Sequence, residues 1–250
     1  MSKIAVIGTG YVGLTTSIGL ASLGHHVVGY DVDPEKVELL QSGTLPIHEP
    51  GLGEILVDVL KSGNLKATSE LSEAVTYADF VFTCVPTPQD EDGSADLSYV
   101  ISASAAMKDF LKAGAVVITK STVPVGSAQI VEDAIGRNDV EVASNPEFLR
   151  EGAAVYDFQN PDRIVVGARS SDVAQRVMDL YSKIDCPKEL TSQATAQFIK
   201  YASNSFLAIK LSYVNDIAAL CEAVGADSRE GLHGMGLDTR IGNRFLEPGP

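Results

Sequence analysis

Short apolar runs punctuate this chain, and between them lie longer stretches with apolar residues at helical spacing. The runs fall at residues 4–7, 27–30, 65–68, 79–85, 115–119, 140–143 and 162–167. The run at 79–85 (D-F-V-F-T-C-V) is nearly continuous, as expected of a parallel strand buried on both faces. The intervening stretches predict helices over 14–23, from Pro34 onward, and over 52–60, 70–75, 97–111 and 172–184, with another starting near Val125. Asp33 caps the helix that begins at Pro34. Residues 188–191 read as an outer strand. Strands that alternate with helices in this way predict an α/β fold with a doubly wound, mostly parallel sheet across residues 1–191.

The pattern then changes. Residues 192–224 contain no glycine or proline, which predicts one helix of roughly 45 Å at about 1.5 Å per residue. Lys200, Asn204, Lys210, Asn215, Asp216 and Glu222 exclude it as a membrane span. A helix this long and apolar suits a spine between domains or a subunit interface. A short helix and the stretch G-L-D-T-R-I-G-N-R-F-L-E-P-G-P follow. Residues 192–250 therefore read as a second, helical region.

Three glycines after the first strand carry the first chemical signal. Gly8, Gly10 and Gly13 follow the spacing G-x-G-x-x-G, between a predicted strand and a predicted helix. The next strand ends on Asp31. Strand, glycine turn, helix, strand and acid in about 30 residues form a Rossmann-like dinucleotide fingerprint. Gly8 permits the tight turn, Gly10 lets backbone approach a pyrophosphate, and Gly13 lets helix pack on sheet. The helix N-terminus attracts phosphate. Asp31 accepts hydrogen bonds from ribose hydroxyls and repels a 2′-phosphate, so NAD is expected rather than NADP. Lys36, one turn into the second helix, lies near the adenosine end; otherwise it is a solvated lysine.

Other polar residues fall where strands end. Thr87 and Thr122 occupy carboxyl ends of strands, where ligands of open parallel sheets bind. Thr122 fits either a nicotinamide ribose or substrate contact, or a helix cap. In S-N-P-E-F-L-R-E-G, Ser144 or Asn145 would cap a helix with Pro146 in its first turn. Glu147 and Glu151 would then share one helical face, with Arg150 between them. Such a pair can activate a water or share a proton; the bland alternative is a helix start favoured by its dipole. Lys200 and Asn204, four apart on the long helix, can hold an oxyanion or a water, or simply form a solvated stripe.

Composition narrows the partners. The chain has 250 residues, is 45% hydrophobic and 21% charged, and carries a net charge of −14. That balance argues against nucleic acid or an anionic membrane as the main partner. Cys84, Cys186 and Cys221 show neither metal-ligand spacing nor a disulfide pattern. They read as buried apolar residues in a protein of the reducing cytoplasm. The N-terminus runs straight into the first strand with no secretory signal.

Together, I-G-T-G-Y-V-G, P-I-H-E-P-G-L, D-G-S-A-D-L-S-Y-V, K-S-T-V-P-V-G, S-N-P-E-F-L-R-E-G, N-P-D-R-I-V-V-G, F-I-K-Y-A-S-N and D-T-R-I-G-N-R-F-L resemble the nucleotide-sugar 6-dehydrogenases, in that family's order. N-P-D-R-I-V-V-G and L-D-T-R-I-G resemble the UDP-glucose branch; GDP-mannose and UDP-N-acetylhexosamine enzymes are the alternatives. The resemblance implies two successive NAD-dependent oxidations of a sugar C6 alcohol to a carboxylate. It implies NAD contacts for Val12, Asp31, Lys36, Thr87 and Thr122, with Glu151 near the nicotinamide. Glu147 would act with a water in proton transfer and hydrolysis. Lys200 would stabilise an oxyanion, and Asn204 would bind substrate and order the water. Phe148, Leu149 and Arg150 would line the sugar site, Arg240 would reach a substrate, and Phe245, Leu246 and Gly249 would cover the sugar nucleotide. The 192–224 helix would be the spine of a homodimer. Pro86 stands where the family usually has glycine. The family's cysteine nucleophile is expected just beyond Pro250, along with a UDP-binding domain, and none of the three cysteines here sits in a matching loop. A module that binds NAD or dimerises without catalysis, and a 3-hydroxyacid dehydrogenase, are the readings from other classes.

Overall fold

A computed structural model describes residues 1–249, in two compact units, residues 1–198 and residue 199 onward; Pro250 lies outside the described residues. The first unit opens with β1 (Lys3–Ile7), α1 (Tyr11–Ser22), β2 (His26–Tyr30), α2 (Pro34–Gln41), α3 (Leu52–Lys61), β3 (Leu65–Thr68) and α4 (Leu71–Val75). It continues with β4 (Phe80–Thr83), α5 (Ser98–Met107), β5 (Val116–Thr119), α6 (Ser127–Ile135) and β6 (Glu141–Ser144). Then come α7 (Ala154–Gln159), β7 (Ile164–Ala168), α8 (Ser171–Met178) and β8 (Lys188–Thr191). The long helix α9 (Gln193–Val224) follows, and then α10 (Ser228–Gly236).

The eight strands form one sheet in the order β3-β2-β1-β4-β5-β6-β7-β8. Every pairing is parallel except β6 with β7. Successive strand residues point to opposite faces, so each central strand feeds two cores. Ile4 and Val6 of β1 join Leu14 and Ile18 of α1 on one face. Ala5 and Ile7 join Val81, Val117 and Met107 on the other. Apolar surface on both sides of one layer is what the near-continuous runs encode.

The order reverses at β1: the chain first builds outward to β2 and β3, then returns to place β4 on the other side. The crevice at the carboxyl ends of β1 and β4 is therefore the switch point at which ligands of such sheets bind. Gly8 sits there. Its N–H donates to Tyr30 O at 2.8 Å, and the Cys84 N–H donates to Ile7 O at 2.8 Å. Gly8 has φ +93°, and a Cβ there would lie 2.8 Å from Cys84 O. A Cβ on Gly13 would meet Gly8 O at 1.8 Å. Both glycines are thus required by close backbone approach.

Several predicted helices differ. The helix expected over 97–111 ends at Met107, and the one over 172–184 ends at Met178, followed by a 3-10 turn, Asp179–Tyr181. The helix expected near Val125 begins at Ser127 behind Gly126 in a left-handed conformation (φ 98°), so Thr122 does not cap it. The largest correction is at residues 145–153, where no helix forms. Asn145, expected to cap one, is buried, and its side chain is engaged elsewhere. Its amide donates to Val165 O at 2.8 Å, and its Oδ1 accepts from Tyr181 Oη at 2.7 Å and Lys120 Nζ at 3.1 Å. The chain leaves β6 as an irregular loop, and α7 starts only at Ala154.

In the second unit, Val214, Leu232 and Leu246 form a small core with Ile217 and Met235. Asp227 caps α10 through the Glu230 N–H at 2.9 Å. Lys210 Nζ donates to Ile241 O at 3.2 Å, and the Gly249 N–H donates to Asn215 Oδ1 at 3.1 Å.

Candidate dinucleotide and acid–base site

The rim at the carboxyl ends of the strands gathers most of the expected cofactor residues. Gly10 precedes α1 in extended backbone; the α1 first turn holds no acid and has no side-chain cap. A Cβ on Gly10 would meet nothing within 4 Å. The open space beside uncapped helical N–H groups fits a pyrophosphate. Val12, in that first turn, packs half-buried against the core.

Asp31 is 6% exposed. Its Oδ2 accepts from the Thr9 N–H at 2.8 Å and Thr9 Oγ1 at 2.7 Å, and its Oδ1 accepts from the Asp33 N–H at 3.1 Å. Burial pushes the carboxyl up, but the Thr9 and Asp33 hydrogen bonds and the Lys36 charge outweigh it and hold Asp31 below the usual carboxylate range. A carboxylate has about four acceptor sites, so Asp31 retains capacity for a ribose diol. The residues thus fit NAD. Thr9, which orients that carboxylate, has no signature in the motif itself.

Thr87 and Thr122 come together: Thr87 Oγ1 donates to Thr122 O at 3.0 Å. Ser121 Oγ donates to Val85 O at 2.7 Å, tying the β4 and β5 exits into one wall.

Glu147, Phe148, Leu149, Arg150 and Glu151 lie on the irregular loop after β6. Glu147 Oε2 accepts from the Leu149 N–H at 2.6 Å. The Arg163 guanidinium covers the Phe148 ring at 3.8 Å from its centroid. Arg150 does not sit between the two glutamates as a helix would place it. Its guanidinium pairs with Asp157 at 2.6 Å, and its N–H donates to the same carboxylate at 2.9 Å. The charges of both glutamates reach Tyr11. Burial first, then the charges of Glu49, Glu147, Glu151 and Asp157, push the Tyr11 phenol well above its ordinary value. Its buried hydroxyl has no hydrogen-bond partner among the described residues. A buried phenol kept protonated is an available donor, and the motif did not single it out because the residue lies between two motif glycines.

Of the cysteines, Cys84 is buried, and desolvation pushes its thiol up to about 12, which suits no nucleophile. All three are unpaired. Among the described residues, no cluster of His, Cys, Asp and Glu is placed to hold a metal. Among the described residues, no helix is long and apolar enough to cross a membrane.

Gln197, at the start of α9, accepts from the Gly126 N–H at 2.8 Å and donates to Ser144 Oγ at 3.2 Å, a bridge the sequence did not announce. In the second unit, Lys200 is 6% exposed, and Asn204 lies one turn further along α9 and is exposed. Arg240 pairs with Asp238 at 2.6 Å. Leu246 is turned into the small core, next to Phe245 at φ 62°.

Residues 2–185 match the NAD-binding-domain model of the UDP-glucose/GDP-mannose dehydrogenase family, and residues 194–250 match its central-domain model. The chain belongs to this family. A UDP-glucose 6-dehydrogenase of Rhizobium meliloti is 47% identical over 99% of the chain, which spans 59% of that relative. A UDP-glucose 6-dehydrogenase of Bacillus subtilis is 42% identical over the full chain, which spans 55% of it. Among solved structures, a UDP-glucose dehydrogenase of Pyrobaculum islandicum superposes with TM-score 0.96 at 44% identity, covering 100% of this chain and 60% of that one. A GDP-mannose dehydrogenase of Pseudomonas aeruginosa gives 0.89 at 31%, covering 99% and 60%. The chain therefore spans a little over half the length of these family members. A 3-hydroxyisobutyrate dehydrogenase of Mycobacterium tuberculosis shares 18% identity at TM-score 0.73, a likeness of fold alone.

Proposed function

We propose that this chain carries the NAD-binding and central parts of a UDP-glucose 6-dehydrogenase, which oxidises the sugar C6 alcohol to a carboxylate in two steps. The observation that carries this reading is the Gly8–Gly13 turn with its Asp31 carboxylate at the switch point, in a family member whose identity to UDP-glucose enzymes exceeds 40%. NAD, when bound, supplies the electron acceptor for each step.

The chain's own residues do the rest. Gly8, Gly10, Val12 and Gly13 receive the pyrophosphate, and Asp31 and Lys36 fix the adenosine ribose. Thr87, Thr122 and Glu151 border the nicotinamide. Glu147 moves a proton through a water, with its carboxylate held by the Leu149 N–H. Lys200 stabilises the developing oxyanion, and Asn204 orders the water. Phe148, Leu149, Arg150, Arg240, Phe245 and Gly249 contact the nucleotide sugar, while Leu246 anchors its segment to the small core. The protein works in the cytoplasm, in keeping with its unpaired cysteines. It acts as a homodimer through α9, on which Phe206, Ile209, Tyr213, Leu220 and Val224 remain exposed at helical spacing.

The test is a substrate panel on the full-length protein with NAD. UDP-glucose is expected to be oxidised with a kcat/KM at least tenfold above GDP-mannose and the UDP-N-acetylhexosamines. Turnover of one of those sugars but not of UDP-glucose would overturn the substrate assignment.

A further inference from the structure

We infer that Glu49 is a positioning residue that sets the Glu147–Glu151 loop; this rests on the functional reading that the loop performs the acid–base chemistry. Glu49 lies in the P-I-H-E-P-G stretch, about a hundred residues before that loop, and no role has yet been given to it. It is a carboxylate only 4% exposed, and both its oxygens are engaged by main-chain donors of the loop's far end. Oε2 accepts from the Gly152 N–H at 2.9 Å and Oε1 from the Ala154 N–H at 2.8 Å.

Those two donors follow Glu151 directly, on the stretch that leads from its turn into α7. Gly152 is left-handed, with φ +80°, and Ala153 has no side chain with which to cap α7. Glu49 supplies from a distance the acceptors that the local sequence lacks. Its own main-chain carbonyl accepts from the Leu52 N–H at 3.2 Å, so one residue joins the starts of α3 and α7. The near end of the loop is fixed separately, by Asn145 through Val165, Tyr181 and Lys120. The loop between has no regular structure; Asp157 holds its middle through Arg150, and Glu49 holds the end that follows Glu151. Removing the acceptor leaves the buried Ala154 N–H unsatisfied and releases the more exposed Gly152 N–H. A reacting group displaced by about 1 Å loses on the order of 100-fold in rate.

The test is Glu49→Gln in the full-length protein. An amide has one acceptor oxygen, and its NH2 would oppose an N–H donor. Two quantities are read: hydrogen exchange at the Gly152 and Ala154 amides, and steady-state kinetics with UDP-glucose and NAD. The expected result is exchange at least tenfold faster at both amides, kcat lower by on the order of 30- to 100-fold, and KM for NAD within about twofold of native. If Glu49→Gln does not fold, Glu49→Asp, which keeps the charge but shortens the reach by a methylene, is read in the same way. Unchanged exchange overturns the clamp. Faster exchange with unchanged kcat overturns the positioning role; Glu147→Gln, measured alongside, then shows whether the functional reading falls as well. If that variant keeps full turnover the loop is not the acid–base element, and if it is inactive only the role of Glu49 is lost.

Discussion

Asp31 answers to two demands at once. Toward the protein it accepts three hydrogen bonds, two from Thr9 and one from Asp33. Toward a ligand it presents the negative charge that selects against a 2′-phosphate. Its carboxyl is held below the usual range despite burial, because those donors favour the ionised form. A depressed folded pKa means a stabilising contribution that is present above the unfolded value, about 3.9, and lost as pH falls through the folded value. Asp31→Asn is therefore expected to cost about 1.5–3 kcal/mol at pH 7, with the gap to native narrowing below about pH 4. Denaturant unfolding of both proteins at pH 7 and pH 3 checks this; a gap that does not shrink with acid would show that the charge is not what Thr9 holds.

Elements were legible where local and tertiary preferences agree. β8 and the long helix α9 fall within a residue of the bounds their patterns predict, because an edge strand between turns and an uninterrupted apolar helix need no distant partner to define them. The 145–153 loop was misread for the opposite reason. Asn145-Pro146 followed by acids is a helix-start pattern, but Asn145 bonds to Val165 and Tyr181, and Gly152 and Ala154 bond to Glu49. None of these partners is visible within a sequence window. Glu147 and Glu151 lie on this loop, and the helical face expected to carry them does not form. The exposed side chains of α9 pose a different question, that of a second subunit. With Phe206 and Ile209 both changed to Glu, the protein is expected to sediment at protomer mass while the native protein sediments at twice that mass. Equal masses for the two would remove α9 from the interface.

At the scale of the whole molecule, alternation of apolar runs with helical stretches foretold the doubly wound sheet, since buried parallel strands write themselves as apolar runs. The antiparallel β6–β7 pairing was not foretold, because strand direction depends on how the chain returns after the β6 loop, through α7. Family membership rests on models that match residues 2–185 and 194–250, while the chain spans a little over half of the relatives it resembles. The activity therefore has to be read in the full-length protein. The most direct measurement is the number of NADH formed per UDP-glucose consumed, followed by absorbance with product analysis under limiting sugar nucleotide. The account predicts two, with the carboxylate as product; a yield of one, ending at the aldehyde, or no NADH at all from UDP-glucose would contradict it.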